Sequence, residues 1–126
     1  MEKRWLQIVI ALGGLIPVGA GLSGALLGPS MLHQIGDVAL DSHFRYLSGL
    51  LLAIGLGYWT AIPNIERQGQ RIGLLTLIVV GGGFCRALGM LLYGPPGGAM
   101  SAALVMELVI TPLIYLWQTR VARLAA

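Results

Sequence analysis

Apolar residues gather in four long runs divided by short polar segments. The runs extend from about Trp5 to Gly28, Phe44 to Ile62, Ile72 to Tyr93 and Ala99 to Trp117. A helix of roughly 17–25 apolar residues crosses the ~30 Å hydrocarbon layer of a bilayer, and all four runs reach that length. The pattern predicts an all-α protein: one membrane domain over residues 1–126, a four-transmembrane-helix bundle with an antiparallel up-down course. The run from Trp5 to Leu27 is too long for a signal peptide and has no convincing cleavage site, so it is expected to remain as the first helix.

The segments between the runs carry their own patterns. Met31, Leu32, Ile35, Val38 and Ala39 recur at helical spacing, with His33, Gln34 and Asp37 between them. This predicts a short amphipathic helix at the interface after helix one, with Ser30 as its cap. Pro95-Pro96-Gly97-Gly98 predicts a tight turn that makes helices three and four neighbours. Pro17 and Pro112 fall inside runs, where each should kink its helix and release a carbonyl. Small residues recur every fourth position at Ala20, Gly24 and Gly28, at Gly49, Ala53 and Gly57, and at Gly81, Cys85 and Gly89. Such spacing predicts close helix–helix contact, with Cys85 as a small packing residue.

Composition strengthens the membrane reading. Hydrophobic residues make up 56% of the 126 and charged residues 10%, with mean hydropathy +0.82. A soluble domain carries roughly 25% charged residues, so there is too little polar surface here to coat a globule in water. The 19 glycines suit close packing between helices in lipid. A single cysteine excludes an intramolecular disulfide, zinc clusters and CxxC redox chemistry. The net charge of +3 is modest and its basic residues sit at the ends of the runs, which argues against a nucleic-acid surface.

The same basic residues set an expected orientation. Lys3 and Arg4, Arg67 and Arg71, and Arg120 and Arg123 all fall on one side of a four-span topology. Positive-inside bias makes that side cytoplasmic, with both termini on it, in a cell inner membrane. Trp5, Trp59, Trp117 and Tyr115 lie near the same ends and are expected to act as aromatic anchors.

Against this background the charges inside the runs stand out. Arg86 lies seven positions before Tyr93 and Glu107 nine positions after Gly98, so both sit roughly 10–13 Å from the same end of a hairpin. A charge at such depth is costly and needs a partner; an Arg86–Glu107 pair facing the interior is the expected solution. A second polar group, Asp41, Ser42, His43, Arg45 and Tyr46, opens helix two. Asp41 and Arg45 are spaced for a pair within the helix. The expected ligand-binding set is therefore Arg86, Glu107, Arg45, Asp41, Tyr46 and His43, with Thr111 nearby, around a polar pocket open to the outside. The alternative is that the Arg86–Glu107 pair only fixes the register of the helices. No catalytic set, metal ligands or cofactor motif is called: there is no GxSxG elbow, Walker loop or dinucleotide loop, and Gly81-Gly82-Gly83 lies inside a helix.

Three stretches resemble a known family: Asp41-Ser42-His43-Phe44-Arg45-Tyr46, Gly82-Gly83-Phe84-Cys85-Arg86-Ala87-Leu88-Gly89, and Glu107-Leu108-Val109-Ile110-Thr111-Pro112. They resemble a group of small four-helix bacterial membrane proteins classed as a domain of unknown function, DoxX-like in appearance. The resemblance covers most of the chain. It implies a bacterial inner-membrane protein of four helices and supplies no reaction.

The first functional expectation is non-enzymatic: a protein that holds a small amphiphile or a membrane-lipid head group, or that serves as an accessory subunit in a homo-oligomer or larger membrane complex. The alternative is an oligomeric small-molecule transporter that uses Glu107, although a tight pair with Arg86 opposes a proton cycle there. A membrane enzyme acting on a lipid or quinone, with His43 or Glu107 as the acid–base group, comes third.

Overall fold

The computed structural model describes every residue except His33 and Ile35. It is helical, with no strand among the described residues. The α-helices are α1 (Glu2–Gly13), α2 (Leu15–Leu27), α3 (Val38–Ala61), α4 (Gly69–Tyr93), α5 (Gly98–Val105) and α6 (Thr111–Ala125). Short 3₁₀ turns cover Gly28–Leu32 and Ile65–Arg67, and a π-helical turn, Met106–Ile110, joins α5 to α6. Among the described residues, three stretches are long and apolar enough to cross a membrane: Glu2–Leu32, Gly69–Tyr93 and Gly98–Ala125. At 24 residues α3 has comparable length but is not among them. Asp41, His43 and Arg45 in its first turns offset the apolar residues that follow.

The helices overrun the apolar runs at several ends. α3 begins at Val38, where Asp37 caps it by accepting from the Leu40 amide at 2.7 Å. α4 begins at Gly69, and α6 continues to Ala125 through polar turns. The amphipathic helix expected after helix one is not continuous. Gln34, Gly36 and Asp37 carry no helix, Val38 and Ala39 belong to α3, and His33 and Ile35 lie outside the described residues. Ser30 does not open a helix; its hydroxyl donates to the Leu27 carbonyl.

The chain divides into two compact units, Gln7–Pro63 and Met1–Leu6 with Asn64–Ala126. In the first unit, α2 lies against α3 through glycine. A Cβ on Gly21 would meet Leu52 N at 2.4 Å and Ser48 O at 2.7 Å, one on Gly24 the Ser48 side chain, and one on Gly55 the Val18 Cγ2 at 2.7 Å. Only a missing side chain lets these backbones come so close. Gly24 and Gly28 match the expected small-residue face, and Gly21 joins them. Gly49 has open space around it and Ala53 is exposed, so that expected face is not the one used.

Helix one breaks at Gly14, three residues before Pro17. A Cβ there would collide with the Trp59 indole, whose Nε1 donates to the Ala11 carbonyl at 3.1 Å. Trp59 is therefore bonded into the break, in addition to the anchoring expected of it. Gln7 Nε2 donates to the Ile62 carbonyl at 2.7 Å and so satisfies the end of α3.

In the second unit, the contacts run in reverse order along α4 and the α5–α6 segment. Gly69 lies by Gln118, Gly73 by Tyr115 and Gly83 by Glu107 and Leu108. Leu6, Ile65, Ile72 and Val121 are buried. Gln118 is 1% exposed; its Nε2 donates to the Ile65 carbonyl at 3.0 Å, which ties the 3₁₀ turn to α6. Gly81 and Gly89 face open space and Cys85 is exposed. The expected packing face of helix three is thus displaced to Gly69, Gly73 and Gly83. Gly94 (φ 91°) and Gly97 (φ 104°) adopt the positive φ that lets residues 94–97 turn so tightly.

Candidate functional site

The six expected ligand-binding residues fall into two groups, one in each unit. In the first, Arg45 Nε and Nη2 donate to Asp41 at 2.8 and 3.3 Å. Its Nη1 donates to the Ala25 and Leu26 carbonyls at 2.9 and 2.8 Å. These are among the last carbonyls of α2, which have no partner within their own helix. A cation there also meets the negative end of the helix dipole. Gly28 makes this possible. Its φ of 66° ends the helix, and a Cβ on it would lie 2.6 Å from Asp41 Oδ1 and 2.8 Å from Arg45 Nη2. Four of the five guanidinium hydrogens are engaged in this cap. His43 and Tyr46 are exposed on α3 and lie off the face that carries the pair.

In the second group, Arg86 of α4 meets Glu107 of the π turn. Its Nε lies 3.2 and 3.0 Å from the two carboxylate oxygens, and Nη2 donates to Oε1 at 2.9 Å. This is the fork expected from the sequence, a two-point charge-assisted contact. Arg86 Nη1 reaches the Met100 sulfur at 2.9 Å. Since Met100 lies two residues into α5, the guanidinium extends toward the hairpin end. The side chains remain 31% and 19% exposed, so the pair is covered only in part.

The π turn gives Glu107 a second polar feature. The Thr111 amide bonds the Met106 carbonyl, five residues back, and the Thr111 hydroxyl donates to the same oxygen at 2.7 Å. The α-helical donor for the Glu107 carbonyl would be the Thr111 amide, which is spent on Met106. The π-helical donor would be Pro112, which has no N–H. The Glu107 carbonyl therefore has no backbone donor and lies on the same residue as the carboxylate. The sequence signal for this was Pro112, which predicted a released carbonyl but not which one. Thr111, expected near a pocket, is committed to closing the turn.

With these positions established, a family profile described as "Domain of unknown function (DUF4345)" matches residues 5–118. The chain belongs to this family. The match takes in α3, α4 and the π turn, and so every residue of both polar groups. Searches of curated proteins and of solved structures found no match.

Sequence reasoning did not foresee the charges at the other end of the second unit. Lys3 lies 2.9 Å from Glu66, and Arg120 donates to Glu2 at 2.9 and 3.0 Å. The hydrogen bond from Lys3 holds the Glu66 carboxyl below the usual carboxylate range, and a backbone hydrogen bond adds to the effect. Gln118 Oε1 is buried there without a hydrogen-bond partner among the described residues. The signal was the presence of Glu2 and Glu66 among the basic residues at the ends of the apolar runs, which by themselves suggested only anchors.

Proposed function

We propose that this DUF4345 protein is a four-span membrane protein that holds the polar head of a small amphiphile at Arg86 and Glu107. The observation that carries the reading is the partly exposed fork between them, seated at a π-helical turn. A pair that only fixed helix register would need no open side, and single π turns inside α-helices occur frequently at functional sites. Intramembrane ionisable residues are expensive to insert and mark ligand paths more often than lipid-facing surface.

In this reading α3 is the remaining span. At 24 residues it is roughly 36 Å long, and its charged start is neutralised by the Asp41–Arg45 pair. The helices run up and down in antiparallel order, in a cell inner membrane, with both termini and the Arg67 turn on the cytoplasmic side. The hairpin end near Arg86 then faces outward. His43 and Tyr46, exposed at the start of α3, contact head groups on the same side. Arg45 and Asp41 fix the end of α2.

The test is mass spectrometry of lipids that co-purify with the protein in mild detergent. Wild type is expected to retain an amphiphile that Arg86→Ala loses. Identical lipid profiles from the two proteins would remove the basis of the reading.

A further inference from the structure

The atoms around Arg86 and Glu107 restrict the kind of head group that fits, provided the proposed site is a head-group site at all. We infer that the ligand is a zwitterionic lipid with a primary ammonium beside a phosphate, of the phosphoethanolamine type.

The argument starts from charge. Arg86 and Glu107 together are neutral. A net anion brought beside them would add an uncompensated charge to a poorly solvated place, at a cost that rises as the dielectric falls. A zwitterion adds none. Its phosphate would take the guanidinium and its ammonium the glutamate, so both charges of the resident pair gain a partner.

Hydrogen-bonding capacity sharpens this. Arg86 Nη1 spends a hydrogen on the Met100 sulfur, and a thioether is a weak acceptor on a flexible chain. A phosphate oxygen is far stronger, so it displaces the sulfur readily. On the other side, Glu107 presents its carboxylate, whose Oε2 takes one hydrogen bond, from Arg86 Nε. A carboxylate oxygen can accept more than one, so its spare capacity suits a cation that itself carries N–H groups. A primary ammonium has three; a trimethylammonium has none. The geometry therefore favours ethanolamine over choline head groups, and both over a head group with net negative charge.

Access agrees with a lipid as the source. The guanidinium extends toward the hairpin end, to a residue two positions inside α5. On other faces α4 exposes Leu88, Leu91 and Leu92, an apolar surface along which acyl chains can lie.

The experiment measures binding of dioleoyl lipids by native mass spectrometry, with thermal shift in the same detergent as a second readout. Phosphatidylethanolamine is expected to bind about tenfold more tightly than phosphatidylcholine or phosphatidylglycerol, the worth of one good hydrogen bond to a charged group. The paired substitution Arg86→Gln with Glu107→Gln keeps the site polar and neutral while removing both charges, and is expected to abolish the preference. If that variant fails to fold, Met100→Leu carries the test, because it releases the guanidinium hydrogen and should tighten phosphatidylethanolamine binding; unchanged or weaker binding overturns the inference. Equal or tighter binding of phosphatidylglycerol that still depends on Arg86 overturns the zwitterion, and equal or tighter binding of phosphatidylcholine overturns the primary ammonium; either leaves the head-group reading standing. Binding of every lipid without dependence on Arg86 or Glu107 overturns both. Soluble phosphoethanolamine acting as well as the lipid overturns the lipid source.

Discussion

Glycine illustrates how far identical residues can differ in consequence. Gly21 faces the α3 backbone, where an added Cβ would lie 2.4 Å from Leu52 N. Backbone cannot move aside as a flexible side chain can. Gly21→Ala is expected to cost about 1–3 kcal/mol, read as a lower melting temperature in detergent. Gly81 has nothing within 4 Å of such a Cβ. Gly81→Ala should instead stabilise α4 by about 0.5–1 kcal/mol, the ordinary gain of alanine over glycine inside a helix. Glu66 provides a pH-dependent case. Its carboxyl titrates below the usual range because of Lys3, so its contribution to stability is fully present above the ordinary glutamate value and is lost as pH falls through the lowered one. Melting curves from pH 7 to pH 3 should show that loss in wild type, and Glu66→Gln should flatten it. None of these three distinctions could be read from residue type, because each depends on the atom opposite.

At the scale of elements, the segment from Gly98 to Ala125 behaves as one long helix with an inserted turn. Pro112 can donate no hydrogen bond, and the chain answers by winding Met106–Ile110 more widely. The sequence predicted a kink at this proline. It did not predict that the distortion would fall on Glu107 and strip its carbonyl of a donor. Pro112→Ala is expected to restore α-helical bonding and raise the melting temperature, while reducing the amphiphile retained at Arg86 because Glu107 turns with the helix. Gains in both would argue that the π turn has no part in binding. The end of α2 shows the same dependence on context. Asp41–Arg45 was legible from its spacing, yet the two α2 carbonyls that Arg45 caps were not. Arg45→Ala should lower the melting temperature slightly, since the group is largely solvated, and should loosen the 3₁₀ turn after α2, visible as faster amide exchange from Gly28 to Leu32.

For the molecule as a whole, an expected topology follows from the basic residues and the length of the helices. Replacing Cys85 with serine and placing single cysteines at Arg67 and Gly97 gives positions on opposite sides of the proposed membrane. Impermeant thiol reagent added outside intact cells should label the Gly97 position and spare the Arg67 position. The reverse pattern would invert the orientation, and labelling at both would remove α4 as a span. The sequence by itself determined the helical class, the apolar runs, the turn after Tyr93 and the partnership of Arg86 with Glu107. These follow from local chemistry: hydrophobic length, proline and glycine, and the cost of a lone charge in lipid. Tertiary structure alone decided which glycines meet backbone, that Trp59 and Gln7 satisfy carbonyls far along the chain, and that the π turn falls on Glu107. Those depend on which face of one helix meets another, and in a chain whose helices are apolar nearly all round, hydrophobicity does not mark that face.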